Sequence, residues 1–430
     1  MNARRGAVAF ASVRQTREPL PRGFTSLWLT VVLDLVGFGI VLPILPLYTQ
    51  DLGASVFTIG VVLAAYSAAQ MVGAPVLGRL SDRYGRRPVI VISLVGSAVG
   101  HLLTGMAGSV GLIIAARALD GFSGGSLSVA HAAAADLASP PQRPRLFGLL
   151  GAGIALGFVA GPALGSLAAK GGPKLPFFLA AALCGANAIS AWWRLPAFAP
   201  SPGSHPGHTA PATPGGSGPA SVEPAPARGL ALLAPSTLLG RTLLTALVIG
   251  VGFAGFESTF SLLGRVRVGL TAGSAGLVFA GIGLVLSVVQ GVLVKRVIGR
   301  WGAPSTARFA VAINMVGFAL LIPAAGWVGL IPALLLLTVG QGLLSPSMST
   351  LVSSVASPDQ RGAVFGVQQS VNAASRVLGP LIALSLFSIR VPLPYIVGVA
   401  LAAVGWVSLN RLPLRQPPVA APVPAPTPAA

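Results

Sequence analysis

The run SLWLTVVLDLVGFGIVLPILPLY, Ser26 to Tyr48, carries one charged side chain, Asp34. A helix rises about 1.5 Å per residue, so a run of roughly 20 apolar residues matches the ~30 Å hydrocarbon core of a bilayer. Comparable runs recur along the chain, Ala310 to Ala324 among them. Over all 430 residues, 53% are apolar and 9% charged. Covering a soluble domain takes about 25% charged residues. Mean hydropathy is +0.81. The composition excludes a chain that faces water all round and predicts an all-α membrane protein.

By the ~20-residue criterion there are about twelve spans, in two sets of six. The first set falls near 26–49, 57–77, 88–107, 109–130, 146–168 and 176–194. The second falls near 240–262, 272–294, 306–325, 328–350, 362–387 and 392–410. This divides the chain into a cytoplasmic N-terminal tail (1–24), a six-helix half (25–195), a linker (196–236), a second six-helix half (237–412) and a C-terminal tail (413–430). The linker and the last tail are rich in Pro and Ala, a composition that cannot build a packed core and reads as disordered. His205 and His208 in the linker lack Cys or acidic partners, so they make a poor metal site. The lone Cys184 allows no intrachain disulfide and implies no metal. No metal and no cofactor is expected.

The halves repeat. Ser139-Pro140-Pro141-Gln142-Arg143 precedes span five, and Ser357-Pro358-Asp359-Gln360-Arg361 precedes span eleven. In the same register Phe147-Gly148 recurs as Phe365-Gly366 and Gly161-Pro162 as Gly379-Pro380. Gly78 to Arg83 has a decayed counterpart in Gly291 to Arg296. Two pseudo-symmetric halves with a site between them is a transporter architecture.

The net charge of +19 is distributed by loop. Of the 28 Lys and Arg, only Lys170, Lys174, Arg265, Arg267 and Arg390 fall on one side of the spans. Arg117 and Arg376 fall within spans, and the rest lie on the other side. That bias marks the rich side as cytoplasmic and puts both termini there. The excess charge then meets the lipid bilayer's anionic head groups, and no nucleic-acid partner is expected.

Gly78-Arg79-Leu80-Ser81-Asp82-Arg83-Tyr84-Gly85-Arg86-Arg87-Pro88 joins spans two and three. Glycines here permit tight turns and close helix approach, and Asp82 can accept hydrogen bonds from an arginine or a helix N-terminus. A loop that only set topology would need Arg83, Arg86 and Arg87, but neither Asp82 nor the glycines. The segment resembles the loop motif of the major facilitator superfamily, which implies cytoplasmic gating by Gly78, Asp82, Arg83, Gly85, Arg86 and Arg87. Span five carries Gly157, Gly161, Pro162 and Gly165, similar to the motif of that family's antiporters. Small residues at this spacing also serve ordinary close packing. Span one, from Asp34 through Gly37, Gly39 and Pro43 to Pro46, resembles that of twelve-helix drug:proton antiporters, the tetracycline-efflux group in particular. Arg117-Ala118-Leu119-Asp120-Gly121 resembles the same family's buried-arginine motif.

Charge inside a membrane is costly and marks function by default. Asp34, Arg117, Asp120, Glu257 and Arg376 qualify. Asp34, Arg117 and Asp120 come out near the midplane, and Arg117 and Asp120 share a helix face. Glu257 and Arg376 come out at similar depths in the outer half and suggest a second pair. Asp34 is the expected proton carrier. Glu257 is the alternative carrier, or a site for a cation. Fixed ion pairs that only hold helices together remain the structural alternative. With a formal charge of −1, the five favour cationic or zwitterionic solutes over anions.

The resemblance therefore implies a monomeric, proton-coupled exporter of small amphipathic compounds in the plasma (inner) membrane. A uniporter or importer of the same fold, and a non-transporting sensor or scaffold, are the alternatives. No HExxH, phosphate-binding glycine loop or Ser/His/Asp set suggests an enzyme.

Overall fold

A computed structural model describes residues 19–139, 142–196, 233–355 and 361–412. The linker histidines, most of the linker and both tails lie outside the described residues, as do Pro140, Pro141 and Ser357 to Gln360 of the repeated pre-helix segments. Among the described residues all regular structure is helical: α1 (Phe24–Val41), α2 (Leu45–Asp51), α3 (Val56–Tyr84), α4 (Arg86–Met106), α5 (Val110–Ser123), α6 (Ser126–Leu137), α7 (Arg143–Ala169) and α8 (Leu175–Arg194). Then come α9 (Leu238–Val268), α10 (Ala272–Val288), a π-helical turn (Val289–Leu293), α11 (Val294–Leu321), α12 (Trp327–Val355), α13 (Arg361–Ile389) and α14 (Leu393–Arg411). Helix is what such a sequence must form in lipid, where every backbone N–H and C=O needs a partner within its own segment.

Helix ends follow local chemistry. Ser55 caps α3 by accepting from the Thr58 N–H (3.1 Å). Thr237 does the same for α9 at Gly240 (2.9 Å). Thr271 and Ser274 form a capping box at α10. These side chains satisfy backbone donors that a helix start leaves open.

Among the described residues, eleven helical stretches are long and apolar enough to cross a membrane. One of them, Ala272–Leu321, is 50 residues long and covers two of the spans expected from sequence. Within it Gly302 leaves helical geometry, at φ 74° and ψ 161°. Gly85, between α3 and α4, holds nearly the same conformation, φ 92° and ψ 157°. That region of backbone space is essentially closed to residues with a Cβ. Arg83-Tyr84-Gly85 and Arg300-Trp301-Gly302 therefore both end on a glycine of like conformation. Gly302 lies six residues beyond the Gly291 to Arg296 segment. Gly85→Ala is expected to cost about 1–3 kcal/mol, read as a lower midpoint in thermal unfolding of the detergent-solubilised protein.

Two expected spans are interrupted. Span one breaks at Leu42–Ile44 around Pro43, which cannot donate the backbone bond a continuous helix needs. Span four breaks at Gly124–Gly125.

The outer surface is apolar. Trp193 is 77% exposed and Val328 90% exposed. Such side chains on every outward face are a liability in water and a match for lipid. Inside, α1 packs on α7 and α8, α3 on α5, and α4 on α5 and α8. In the second part α9 packs on α13 and α14, and α11 on α12 and α14. Two apolar cores lie in the first part, and the large core of the second part takes in Leu47 and Ile59 of the first. The parts meet where α3 packs on α13 and α7 on α10.

Candidate functional site

Asp34 lies in the middle of α1, and its Oδ2 accepts a hydrogen bond from Ser126 Oγ at 3.1 Å. Ser126 starts α6, directly after the Gly124–Gly125 break, so the interruption of span four delivers this donor. On α5 Arg117 and Asp120 are three residues apart and share a face. Arg117 Nη1 donates to Asp120 Oδ2, and both side chains are nearly fully buried. The Arg117 guanidinium also lies over the Tyr66 ring of α3, 4.4 Å from its centroid. That cation–π contact strengthens when water is excluded.

His101 of α4 completes the cluster. It is 2% exposed, and its Nδ1 sits 3.7 Å from Asp120 Oδ2, too long for a hydrogen bond. His101 Nδ1 and Arg117 Nε are buried without hydrogen-bond partners. Unsatisfied polar groups in a native interior are rare and concentrate where chemistry or conformational change occurs.

A cavity of about 160 Å³ opens among these groups. Asp34, Tyr66, Gln70, His101 and Asp120 line it from the first part of the chain, with Phe38 and Phe158 beside them. From the second part only Arg376 of α13 contributes. Asp34, Asp120 and Arg376 thus line one space, and Arg117 joins it through Asp120. Glu257 does not: it is half-buried on α9 and is absent from the lining. No Glu257–Arg376 ion pair forms among the described residues, and Arg376 turns to the cavity instead. The formally charged side chains that line the cavity, Asp34, Asp120 and Arg376, sum to −1. Gln70 lines it too, with Nε2 donating to the Gly124 carbonyl (3.0 Å).

Sequence reasoning passed over His101 because it weighed formal charges alone. The available signal was Gly96 and Gly100 just before it. Gly100 faces the backbone and Cβ of Asp120 so closely that a Cβ there would lie 2.7 Å from the Asp120 Cβ. That contact brings α4 onto α5 and His101 to Asp120.

The glycines of α7 lie against α1. A Cβ on Gly157 would come 3.0 Å from the Leu35 carbonyl carbon, and one on Gly161 2.7 Å from the Gly39 Cα. At Gly165 it would lie 2.7 Å from the Ile40 carbonyl oxygen. The opposite side of α7 meets α10, where Ser166 Oγ donates to the Gly273 carbonyl. Gly161→Val is expected to destabilise by about 1–3 kcal/mol or more, since the contact is backbone on backbone and no rotamer relieves it. Melting in detergent, compared with the exposed Gly151→Val, reads this out.

At the α3–α4 corner Arg86 is the hub. It donates to Asp82, to Ser81 Oγ (2.6 Å) and to Asp136 Oδ2 (2.9 Å). Asp136 was missed in the sequence, since it lies outside the motif at the end of α6. Arg87 donates to the Trp192 carbonyl and stacks on its ring, 5.0 Å from the centroid. Arg83 lies over its neighbour Tyr84. The expected loop is almost wholly helix, with Gly85 alone outside it. Gly78 lies inside α3, and nothing stands within 4 Å of where a Cβ would project from it, so its expected close contact does not occur in this conformation.

A bundle that crosses the membrane many times around a charged internal cavity defines an integral membrane carrier. Residues 27–380 match the Major Facilitator Superfamily. The tetracycline resistance protein, class B, of Escherichia coli is 30% identical over 84% of this chain and 88% of its own length. Multidrug resistance protein 1 of Bacillus subtilis (strain 168) is 27% identical over 89% and 94%. The crystal structure of the human organic anion transporter MFSD10 (TETRAN) superposes with a TM-score of 0.65 at 25% identity, covering 90% of this chain and 99% of that one. The chain belongs to the Major Facilitator Superfamily: it is a membrane transporter of small molecules and not an enzyme.

Proposed function

We propose that this transporter is a proton-coupled antiporter that exports small amphipathic compounds, cationic or zwitterionic, by alternating access. The observation that carries this reading is the cavity in which Asp34 of α1 and Arg376 of α13 face one space from the two parts of the chain. Asp120 is tied to Arg117, which leaves Asp34 as the carboxylate free to change partner. Ionised, Asp34 balances Arg376 or a bound cation. Protonated, it gives that balance up. A proton and a cationic group thus compete for one carboxylate, which is what exchange requires. Phe38, Tyr66 and Phe158 offer the apolar surface an amphipathic solute needs. His101 stands close enough to share Asp120 with Arg117 after a small shift.

The proposed frame has twelve spans in two halves, 25–195 and 237–412, with Gly302 as the corner that divides the 50-residue helical stretch. Both termini are cytoplasmic by the distribution of Lys and Arg, and the membrane is the plasma (inner) membrane. The contacts between halves then cluster at the extracellular end. Arg265 donates to Asp51 (2.7 Å) and to Gln50 (2.9 Å), and Ser261 Oγ donates to the Pro43 carbonyl (2.9 Å). This conformation is accordingly read as closed outside and open to the cytoplasm. In the opposite state the Gly78 face and Asp82 would meet the second half, and α7 would rock between α1 and α10. The tetracycline and multidrug resistance relatives support export of such compounds. The protein acts as a monomer in this frame.

A second reading, transport of an organic anion held by Arg376, is favoured by two facts. Arg376 has no ion pair among the described residues, and one relative is described as an organic anion transporter.

The test is purified protein in liposomes with a pH-sensitive dye inside, an imposed proton gradient, and a panel of tetracyclines, lipophilic cations and organic anions. Cation- or zwitterion-triggered proton release from the lumen is the expected result. Labelled solute crossing without proton movement would make the protein a uniporter. Flux triggered only by anions would establish the second reading.

A further inference from the structure

Away from the central cavity, a second and larger recess of about 500 Å³ lies between the start of α9 and the end of α14. Arg241 and Arg411 line its polar end, and Ser408, Val407 and Val404 form its wall. We propose that this recess binds one anionic phospholipid, with the phosphate between Arg241 and Arg411 and an acyl chain along α14.

Each part of the recess fits one part of such a lipid. Arg241 is in the first turn of α9 and Arg411 is the last residue of α14, so both sit at head-group depth. Neither has an ion pair among the described residues, and no acidic residue lines the recess. Arg241 Nε donates to the Pro235 carbonyl (2.8 Å), which fixes the guanidinium without using its terminal nitrogens. Arg308 of α11 donates to the Leu409 carbonyl (3.3 Å) and adds a third cation at this end. Planar guanidiniums grip phosphate oxygens through paired N–H bonds, and basic pockets between spans are where anionic head groups settle. From Arg411 to Val404 the wall runs about 10 Å along the helix, turning apolar as it descends. Val404 is 57% exposed and Val407 42%, an open face toward the bilayer.

The test uses delipidated full-length protein in detergent, titrated with dioleoyl phosphatidylglycerol, dioleoyl phosphatidylcholine or inorganic phosphate and read by native mass spectrometry. Phosphatidylglycerol is expected to bind about 10-fold or more tighter than phosphatidylcholine. Arg241→Gln/Arg411→Gln is expected to remove that preference, while Lys295→Gln/Arg300→Gln, at exposed cations elsewhere, keeps it. If the first double variant fails to fold, Arg411→Gln alone is expected to reduce the preference. Equal binding of both lipids, an unchanged preference in the recess variants, or displacement of phosphatidylglycerol by inorganic phosphate at like concentration would each overturn the proposal. The last result would mark a free-anion site.

Discussion

Asp34→Asn is expected to reduce substrate-triggered proton flux to the level of protein-free liposomes while leaving the protein folded and in the membrane. Asn keeps the shape of the side chain and an oxygen that can still accept from Ser126 Oγ, now at 3.1 Å from the carboxylate. What it removes is the charge and the ability to lose a proton. The variant is therefore fixed in the electrical state of protonated Asp34, and Arg376 loses its anionic counterpart across the cavity. Exchange of labelled solute for unlabelled solute, which needs no net proton movement, is expected to persist at a reduced rate. Glu257→Gln serves as the comparison. Since Glu257 lies outside the cavity lining, that variant is expected to keep most of its proton flux. Full proton-coupled activity in Asp34→Asn, or its loss in Glu257→Gln alone, would move the proton site away from α1.

The spans were legible because lipid imposes one requirement, apolar length, that any stretch of sequence either meets or fails. The interruptions inside them were not. Pro43 and Gly124 read in sequence as ordinary members of apolar runs, and a break depends on what packs beside it. Gly124 shows the difficulty: it stands inside the fourth expected span, yet the helix stops there and restarts at Ser126. The site divided along similar lines. Asp34, Arg117 and Asp120 were found because formal charge is conspicuous in a membrane and helical spacing fixes which residues share a face. The setting of Arg376 was not, because depth along a span says nothing of rotation about it. At about 100° per residue, a small misjudgement of facing exchanges a neighbour on α9 for a cavity on the other side. His101 escaped because a neutral ring in an apolar run resembles the Ser and Thr side chains that bond to their own helix, as Thr104 does to the Gly100 carbonyl (2.9 Å).

Arg117→Leu is expected to be the most destabilising of these substitutions. Arg117 and Asp120 are each 3% exposed. Removing one member of a buried pair leaves the other as an unpaired charge and costs about 3–5 kcal/mol. His101 Nδ1, at 3.7 Å, is the nearest substitute for Asp120 and in its neutral form would bond it weakly. The variant is expected to accumulate poorly in membranes and to melt well below the parent in detergent. Arg117→Leu/Asp120→Leu separates the pair's two possible roles. With both charges gone nothing is left uncompensated, and a buried pair replaced by apolar groups is often neutral or stabilising. The double variant is expected to recover most of the lost melting temperature and still fail to transport. Arg117→Lys restores charge but not the planar group that stacks on Tyr66 at 4.4 Å, so an intermediate stability is expected from it. Parent-like melting in Arg117→Leu would mean that Asp120 is already neutral or otherwise held. Parent-like transport in the double variant would reduce the pair to a helix clamp and leave Asp34 and Arg376 as the charges that act on the solute.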